Sequence, residues 1–169
     1  MLLTKEQILG RKIVSEFLGN EQFQPCGVDL SLREVHELSE AGVIDFDNSA
    51  RKIPASKALE FKNDELKLKK GAYKIIYNEI VMIPADCAAF GFSRSSLLRC
   101  GAFVNCAVWD PGYKGRSESL LIVENEHGIT LKKNARLVQL VFVKLEDEAK
   151  ELYRGAYHNE NLRKRRRGE

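Results

Sequence analysis

The residues best suited to chemistry lie between Gly91 and Gly115. Ser93, Arg94, Ser95 and Ser96 place hydroxyls and a guanidinium just before Leu97-Leu98-Arg99. Serines in the first turn of a short helix leave backbone N–H groups free and favour an anion, so this stretch suits a phosphate. An apolar run from Ala102 to Trp109 follows, with Asn105 inside it. It closes on Asp110-Pro111-Gly112-Tyr113-Lys114-Gly115, a Pro-Gly turn that holds a carboxylate close to an aromatic ring. A phosphate binder, a polar strand and a carboxylate-bearing turn together describe a nucleotide site.

The elements that must position these groups are mostly strands. Thr4 followed by Gln7 is a capping box that opens a short helix through Ile8. The spacing of Ile13, Val14, Phe17 and Leu18 predicts a second helical segment, stopped by Gly19-Asn20. From Gly27 onward short apolar runs are separated by Gly, Pro, Asn and Asp. Val28 to Leu32 alternates as a half-buried strand does. Residues 42–53 read as strand, polar turn and strand. Further strands are expected at Leu66–Leu68, Ala72–Tyr77, Ile80–Ile83, Ala88–Phe92, Leu120–Val123, Ile129–Leu131 and Leu137–Leu145. About ten short strands spaced by turns argue for a sandwich or Greek-key barrel over a parallel α/β sheet.

Composition limits the alternatives. A chain of 169 residues with 44% hydrophobic and 30% charged residues is long enough for one domain with a sizeable core. The formal net charge of +3 comes from the end of the chain, because Arg163 to Glu169 carries five basic groups and one acid. The remainder is close to neutral. Cys26, Cys87, Cys100 and Cys106 form no C-x-x-C pair and the histidines are far apart, which argues against zinc and for free, mostly buried thiols in a reducing cytoplasm. No apolar run approaches membrane-spanning length. The barrel strands lack interleaved basic and aromatic residues, so no specific nucleic-acid partner is expected.

The motifs, taken together, resemble the family that joins dUTP diphosphatases to dCTP deaminases, with the archaeal-type dUTPases most similar. The matching pieces are Gln24-Pro25-Cys26-Gly27-Val28-Asp29-Leu30, Arg94-Ser95-Ser96-Leu97-Leu98-Arg99, Asp110-Pro111-Gly112-Tyr113-Lys114-Gly115 and Arg136-Leu137-Val138-Gln139-Leu140. Each is weak alone; four in order at the family's spacing are specific. The resemblance spans roughly residues 5 to 157. It implies a mostly β fold, the distorted jelly-roll β-barrel of dUTPases with a short N-terminal helix, usually assembled as a homotrimer with shared active sites. The β domain then covers residues 1–152, and residues 153–169 form a flexible C-terminal tail and possible active-site lid.

The resemblance also assigns roles. Asp110 matches the carboxylate that orients and deprotonates the water attacking the α-phosphorus of dUTP. Asp29 matches the aspartate that supports Mg²⁺ through water. Arg94, Ser95, Ser96 and Arg99 hold phosphate oxygens. Gln139 reaches toward phosphate or serves as a buried structural amide. Tyr113 stacks under the deoxyribose and excludes a 2′-hydroxyl. Asn105 reads the pyrimidine edge or satisfies the core, and Trp109 is a packing ring rather than a base-stacker.

Two departures bear on activity. The family's deaminases carry a glutamate ten residues after the turn aspartate, and this chain has Leu120 there. Glu118 shares the face of Leu120 on a regular strand but sits about 6.5–7 Å away, too far for the same task unless a bulge resets the register. The C-terminal motif begins well at Tyr153-Arg154-Gly155-Ala156-Tyr157, where Arg154 is the expected phosphate contact. His158-Asn159-Glu160-Asn161 then replaces the family's Gln-Gly-Ser part. Hydrolysis of dUTP to dUMP and pyrophosphate is the expected activity, with a dCTP deaminase, a bifunctional enzyme or a non-catalytic nucleotide-binding regulator as alternatives.

Overall fold

Strand β3, Gly27–Leu38, is the axis of the molecule. In the computed structural model, which describes residues 1–162, it pairs antiparallel with β13 (Arg136–Lys144) and with β6 (Gly71–Tyr77). The path continues outward from β13 to β8 (Cys87–Ser93), and from β6 through β11 (Glu118–Val123) to β9 (Ala102–Asn105). Two short strands, β2 (Phe23–Gln24) and β4 (Ser56–Ala58), add to β3. Small sheets complete the shell. One joins β1 (Val14–Ser15), β7 (Ile80–Met82) and β10 (Lys114–Gly115); the other pairs β5 (Glu65–Leu68) with β12 (Ile129–Lys132).

The ends of the long path, β8 and β9, come together and nearly close a barrel. Ser93 Oγ accepts a hydrogen bond from Val104 N at 2.8 Å and donates to Val104 O at 3.1 Å. One serine side chain thus replaces a rung of the missing ladder and satisfies two edge groups that would otherwise face solvent. Val28, Leu30, Leu32, Leu121, Leu140 and Phe142 fill the interior and have no exposed surface. Burying each contributes about 1.5–3 kcal/mol.

The N-terminal capping box forms as expected: Thr4 Oγ1 accepts from Gln7 N, and Gln7 Oε1 accepts from Thr4 N, at the start of α1 (Lys5–Gly10). The second N-terminal helix does not form. Lys12 and Glu16 adopt positive φ values of 52° and 54°, which breaks any helix between them, and Val14–Ser15 becomes an edge strand on β7. The apolar residues at 13, 14, 17 and 18 are consistent with either arrangement, and pairing with β7 decides it.

Strand β3 also differs from expectation. Residues 27–32 are buried on both faces, not one. The polar alternate positions meet polar side chains instead of water, Ser31 the buried Glu79 and Asp29 the half-buried Arg94. Residues 42–53 form only an isolated bridge, Val43 to Lys52. The thiols are free, but Cys26 and Cys100 are exposed; of the four only Cys87 is fully buried.

Candidate active site

The residues singled out in the sequence fall into two groups. The first gathers where β3, β8 and β13 meet. Gln139 is directly opposite Asp29 in the β13–β3 register, and Phe92 is opposite Gln139 on the other side. Asp29 is 1% exposed and its Oδ2 is the convergence point: Arg94 Nε lies at 3.1 Å, Arg136 Nη1 at 3.3 Å and Gln24 Nε2 at 3.2 Å. Burial pushes this carboxyl above its ordinary range against the opposing pull of Arg94, Arg136 and Gln24. Asp29 therefore holds two guanidiniums in place at some cost to its own ionisation. Gln139 is half-buried beside them.

Helix α2, Ser95–Arg99, begins at once after Arg94, whose backbone is the N-cap with φ −65° and ψ 143°. No side chain caps this helix, so the serines are in its first turn rather than at its cap. Ser95, Ser96 and Arg99 are exposed around the half-buried Arg94. Two guanidiniums, two hydroxyls and the first-turn amides form a cationic, donor-rich patch that matches phosphate oxygens.

A polar network backs this patch from inside. Glu79 is fully buried; Ser31 donates to it through N at 2.9 Å and Oγ at 2.6 Å, and Gln22 Nε2 donates at 2.7 Å. The same Gln22 amide donates to the Asp29 carbonyl at 2.8 Å. Burial raises the Glu79 pKa against these hydrogen bonds. Sequence reasoning missed Glu79, Gln22 and Arg136. Arg136 had a signal, since it opens one of the motif stretches. Glu79 follows Asn78 between two strands and looks like an ordinary turn acid.

The second group surrounds a cavity of about 410 Å³. Trp109, Asp110, Tyr113 and Ser117 come from the turn; Tyr153 and Glu160 come from the C-terminal segment. The turn is pinned to β7: Gly112 N donates to Ile83 O at 2.9 Å and Ile83 N to Tyr113 O at 2.9 Å. Gly112 has φ +84°, and a Cβ there would stand 2.7 Å from Leu152 Cβ, so both conformation and packing call for glycine. Asp110 is exposed, while Tyr113 is 6% exposed with its hydroxyl donating to Glu160 Oε1 at 2.6 Å and hydrogen-bonded to the Ser117 hydroxyl at 3.0 Å. Trp109 Nε1 also donates to Ser117 Oγ, and the ring is buried at 4%, as a packing ring should be. Asn105 is exposed at the end of β9, opposite Leu120, and does not line the cavity; Ala107 and Val108 do. Arg154 is exposed on the segment that closes the cavity, and Arg163 lies outside the described residues.

Within one chain, among the described residues, no hydrogen bond or ion pair joins the two groups. Trp109 bridges to Ala89 near the start of β8, whereas Arg94 follows its end. From Ala89 to Arg94 the strand runs roughly 16 Å at about 3.3 Å per residue. The phosphate-type patch follows the end of β8, whereas Trp109 of the cavity wall bridges near its start and lays its ring beside Gly91.

Strand β11 is regular. Its pairing with β6 and β9 runs from Glu118 or Leu120 to Val123 without a register shift. Glu118 and Leu120 share the half-buried face, and Glu118 is ion-paired to Lys74 Nζ at 3.1 Å. No bulge moves Glu118 into the place of Leu120.

A family model described as dCTP deaminase-like matches residues 3–145, and the chain belongs to that family. Within it, the chain is 53% identical over 143 residues to a protein of Methanosarcina acetivorans named probable deoxyuridine 5′-triphosphate nucleotidohydrolase, covering 84% of each. It is 41% identical over 155 residues to the deoxyuridine 5′-triphosphate nucleotidohydrolase of Methanocaldococcus jannaschii, covering 89% of this chain and 97% of that one. The crystal structure of 2′-deoxycytidine 5′-triphosphate deaminase from Agrobacterium tumefaciens has the same fold, with a TM-score of 0.62 and 20% identity over 83% of this chain and 47% of that chain.

Proposed function

We propose that this chain hydrolyses dUTP to dUMP and pyrophosphate. The observation that carries the reading is the regular β11, which presents Leu120 where the family's deaminases need a proton-shuttling glutamate. An alkyl side chain moves no proton, whereas phosphoryl transfer asks for a positioned water and clamped phosphate charge, both within reach of this residue set. The relatives named as dUTP nucleotidohydrolases support the same choice.

In this reading Asp110 orients a water in line with the α-phosphorus and draws off its proton. Arg94, Ser95, Ser96, Arg99 and Gln139 take phosphate oxygens, with Arg154 joining from the C-terminal segment. Tyr113 forms the sugar wall, and Ala107 and Val108, in the loop after β9, face the base. The two groups, apart along β8, complete a site when a second copy supplies the other half, as in the homotrimer with shared sites that the family resemblance implies.

Magnesium, when bound with the triphosphate, neutralises phosphate charge. The contacts of Asp29 described above all fall on Oδ2, and two guanidiniums lie within 3.3 Å. That environment suits a carboxylate acting through a metal-bound water, with Oδ1 as acceptor, and not a direct ligand. The free cysteines fit a reducing cytoplasm, and among the described residues no helix is long and apolar enough to cross a membrane.

The test is incubation of the purified protein with dUTP, dCTP and UTP plus Mg²⁺, followed by chromatographic separation. Release of dUMP and pyrophosphate from dUTP is expected. Conversion of dCTP to dUTP would replace the reading with deamination.

A further inference from the structure

The C-terminal segment departs from the family's motif at residues 158–161, and there it makes its strongest contacts. Its backbone extends the edge of β10: Asn159 N donates to Lys114 O at 2.7 Å, Arg116 N donates to Glu160 O at 3.1 Å, and Gly115 bridges Glu160 in parallel. Tyr153 N donates to Pro111 O at 2.8 Å, and the Tyr153 ring stands edge-on to Tyr113 at 5.8 Å. Asn161 Nδ2 donates to Arg116 O at 3.0 Å and to Glu118 Oε1 at 3.1 Å. At the centre the Glu160 carboxyl accepts from the Tyr113 hydroxyl at 2.6 Å. A Cβ on Gly115 would lie 2.7 Å from Tyr113 Oη and 3.1 Å from Glu160 Cγ, so the glycine makes room for this pair.

We propose that Glu160 is a positioning residue for sugar selection: its carboxyl group fixes the Tyr113 ring and ties residues 153–161 onto the chain's own cavity. The proposal rests on reading that cavity as the deoxynucleoside site. A stacking ring discriminates against a 2′-hydroxyl only if it cannot tilt away. Ser117 and Glu160 hold the Tyr113 hydroxyl from two sides, and Glu160 belongs to the segment that also walls the cavity.

The anchor responds to protonation. The groups facing Glu160 are Tyr113 and Ser117 from the turn, Glu118 from β11, Lys74 from β6, and Tyr153 with His158 against its ring from the segment itself. Burial raises the Glu160 pKa to about 7; the Tyr113 hydrogen bond pulls it down, Glu118 pushes it up and Lys74 pulls it down. A carboxyl whose pKa is higher docked than free favours docking while protonated. Docking is therefore strongest at low pH and weakens as pH rises through about 7.

The chain has one tryptophan, Trp109, and it reports on this contact, because the Ser117 hydroxyl accepts from its indole and is hydrogen-bonded to the Tyr113 hydroxyl. In nucleotide-free protein, Trp109 fluorescence is expected to show a transition near pH 7 that Glu160→Gln abolishes and His158→Asn leaves in place. The ratio of kcat/KM for dUTP over UTP is then measured at about pH 6 and about pH 8, either side of that pKa. The ratio cancels effects common to both substrates. Wild-type protein is expected to lose about three- to tenfold in discrimination between the two, the scale of one hydrogen bond. Glu160→Gln, which keeps an acceptor without the charge, should hold the low-pH ratio at both, and Glu160→Ala should be low at both. An Ala variant that discriminates like wild type at the lower pH, or a fluorescence transition unchanged in the Gln variant, overturns the proposal. If neither nucleotide turns over, the functional reading has failed, and the fluorescence titration still decides whether Glu160 holds the segment.

Discussion

The phosphate-type patch and the nucleoside-type cavity are assembled by opposite strategies. Asp29 comes from β3, Arg136 and Gln139 from β13 and Arg94 from the position just after β8, all far apart in sequence, and a buried network through Gln22, Ser31 and Glu79 backs Asp29. Long-range pairing of barrel strands makes that end as stiff as the core. Trp109, Asp110, Tyr113 and Ser117 are instead neighbours in sequence, on a turn held to β7 and walled by a terminal segment. That segment rests on a few backbone hydrogen bonds, the Asn161 side chain, the Tyr153–Tyr113 ring contact and the Glu160–Tyr113 contact, with no strand of the barrel in it. A rigid charge clamp paired with an adjustable nucleoside wall suits a reaction whose catalysis is largely phosphate positioning.

The contrast is most sharply broken at Asp110. Asp110→Asn should leave the fold intact, because the side chain is exposed, and lower dUTP turnover by roughly 10²–10⁴-fold, the scale for losing a general base. Turnover near the wild-type rate would make Asp110 a turn residue only. The same variant tests whether the halves come from different chains. Asp110→Asn mixed and reassembled with Arg94→Ala should regain activity that neither shows alone, since some sites then combine an intact patch with an intact cavity. No recovery in mixed oligomers would place both halves of each site in one chain.

At the rigid end, stability and function should separate. Burial raises the Asp29 pKa despite its arginines, so folding favours the neutral form more than the unfolded chain does. The stability tied to this carboxyl is complete below its ordinary value of 3.8 and falls as pH rises through the raised one. Asp29→Asn removes the buried charge at neutral pH and should leave Tm unchanged or higher. Turnover should fall roughly 10²-fold, the cost of misplacing binding groups by about 1 Å, because Arg94 and Arg136 lose their common anchor. A matched loss of Tm and activity would mean that Asp29 is structural.

These two ends were not equally legible in the sequence. The cavity's turn could be read directly, since Asp110-Pro111-Gly112-Tyr113 is local and its glycine and proline have local jobs. Single members of the patch could be named from motifs, but not the convergence of Gln24, Arg94 and Arg136 on one oxygen of Asp29, which depends on strand register. Burial of both faces of β3 was hidden because Asp29 and Ser31 look like the polar side of an alternating strand. The barrel was legible from strand count, whereas the break at Lys12 and Glu16 was not, because positive φ at such residues leaves no compositional mark. Glu160 could be seen to depart from the family's motif, but its partner Tyr113 lies 47 residues away and emerges only in the fold.

The smallest expected effect lies between the two ends, on β11. Leu120 faces the same way as Glu118 and pairs with Asn105 and Lys74, so a longer polar side chain can replace it without entering the barrel core. Leu120→Glu should therefore keep dUTP hydrolysis within about threefold of wild type, because the change is on the half-buried face and leaves the barrel core in place. The variant places a carboxylate where the family's deaminases have theirs, with Ser95 and Arg99 already present. It adds no pocket for a cytosine amine, and Lys74, directly opposite on β6, would compete for the new charge. Trace ammonia release from dCTP is thus the upper limit expected, read by coupled assay against the wild-type background. Wild-type protein that already releases ammonia would show that the missing glutamate does not decide the reaction. A Leu120→Glu variant that loses dUTP hydrolysis altogether would show instead that β11 is part of the hydrolytic site and not its neutral neighbour.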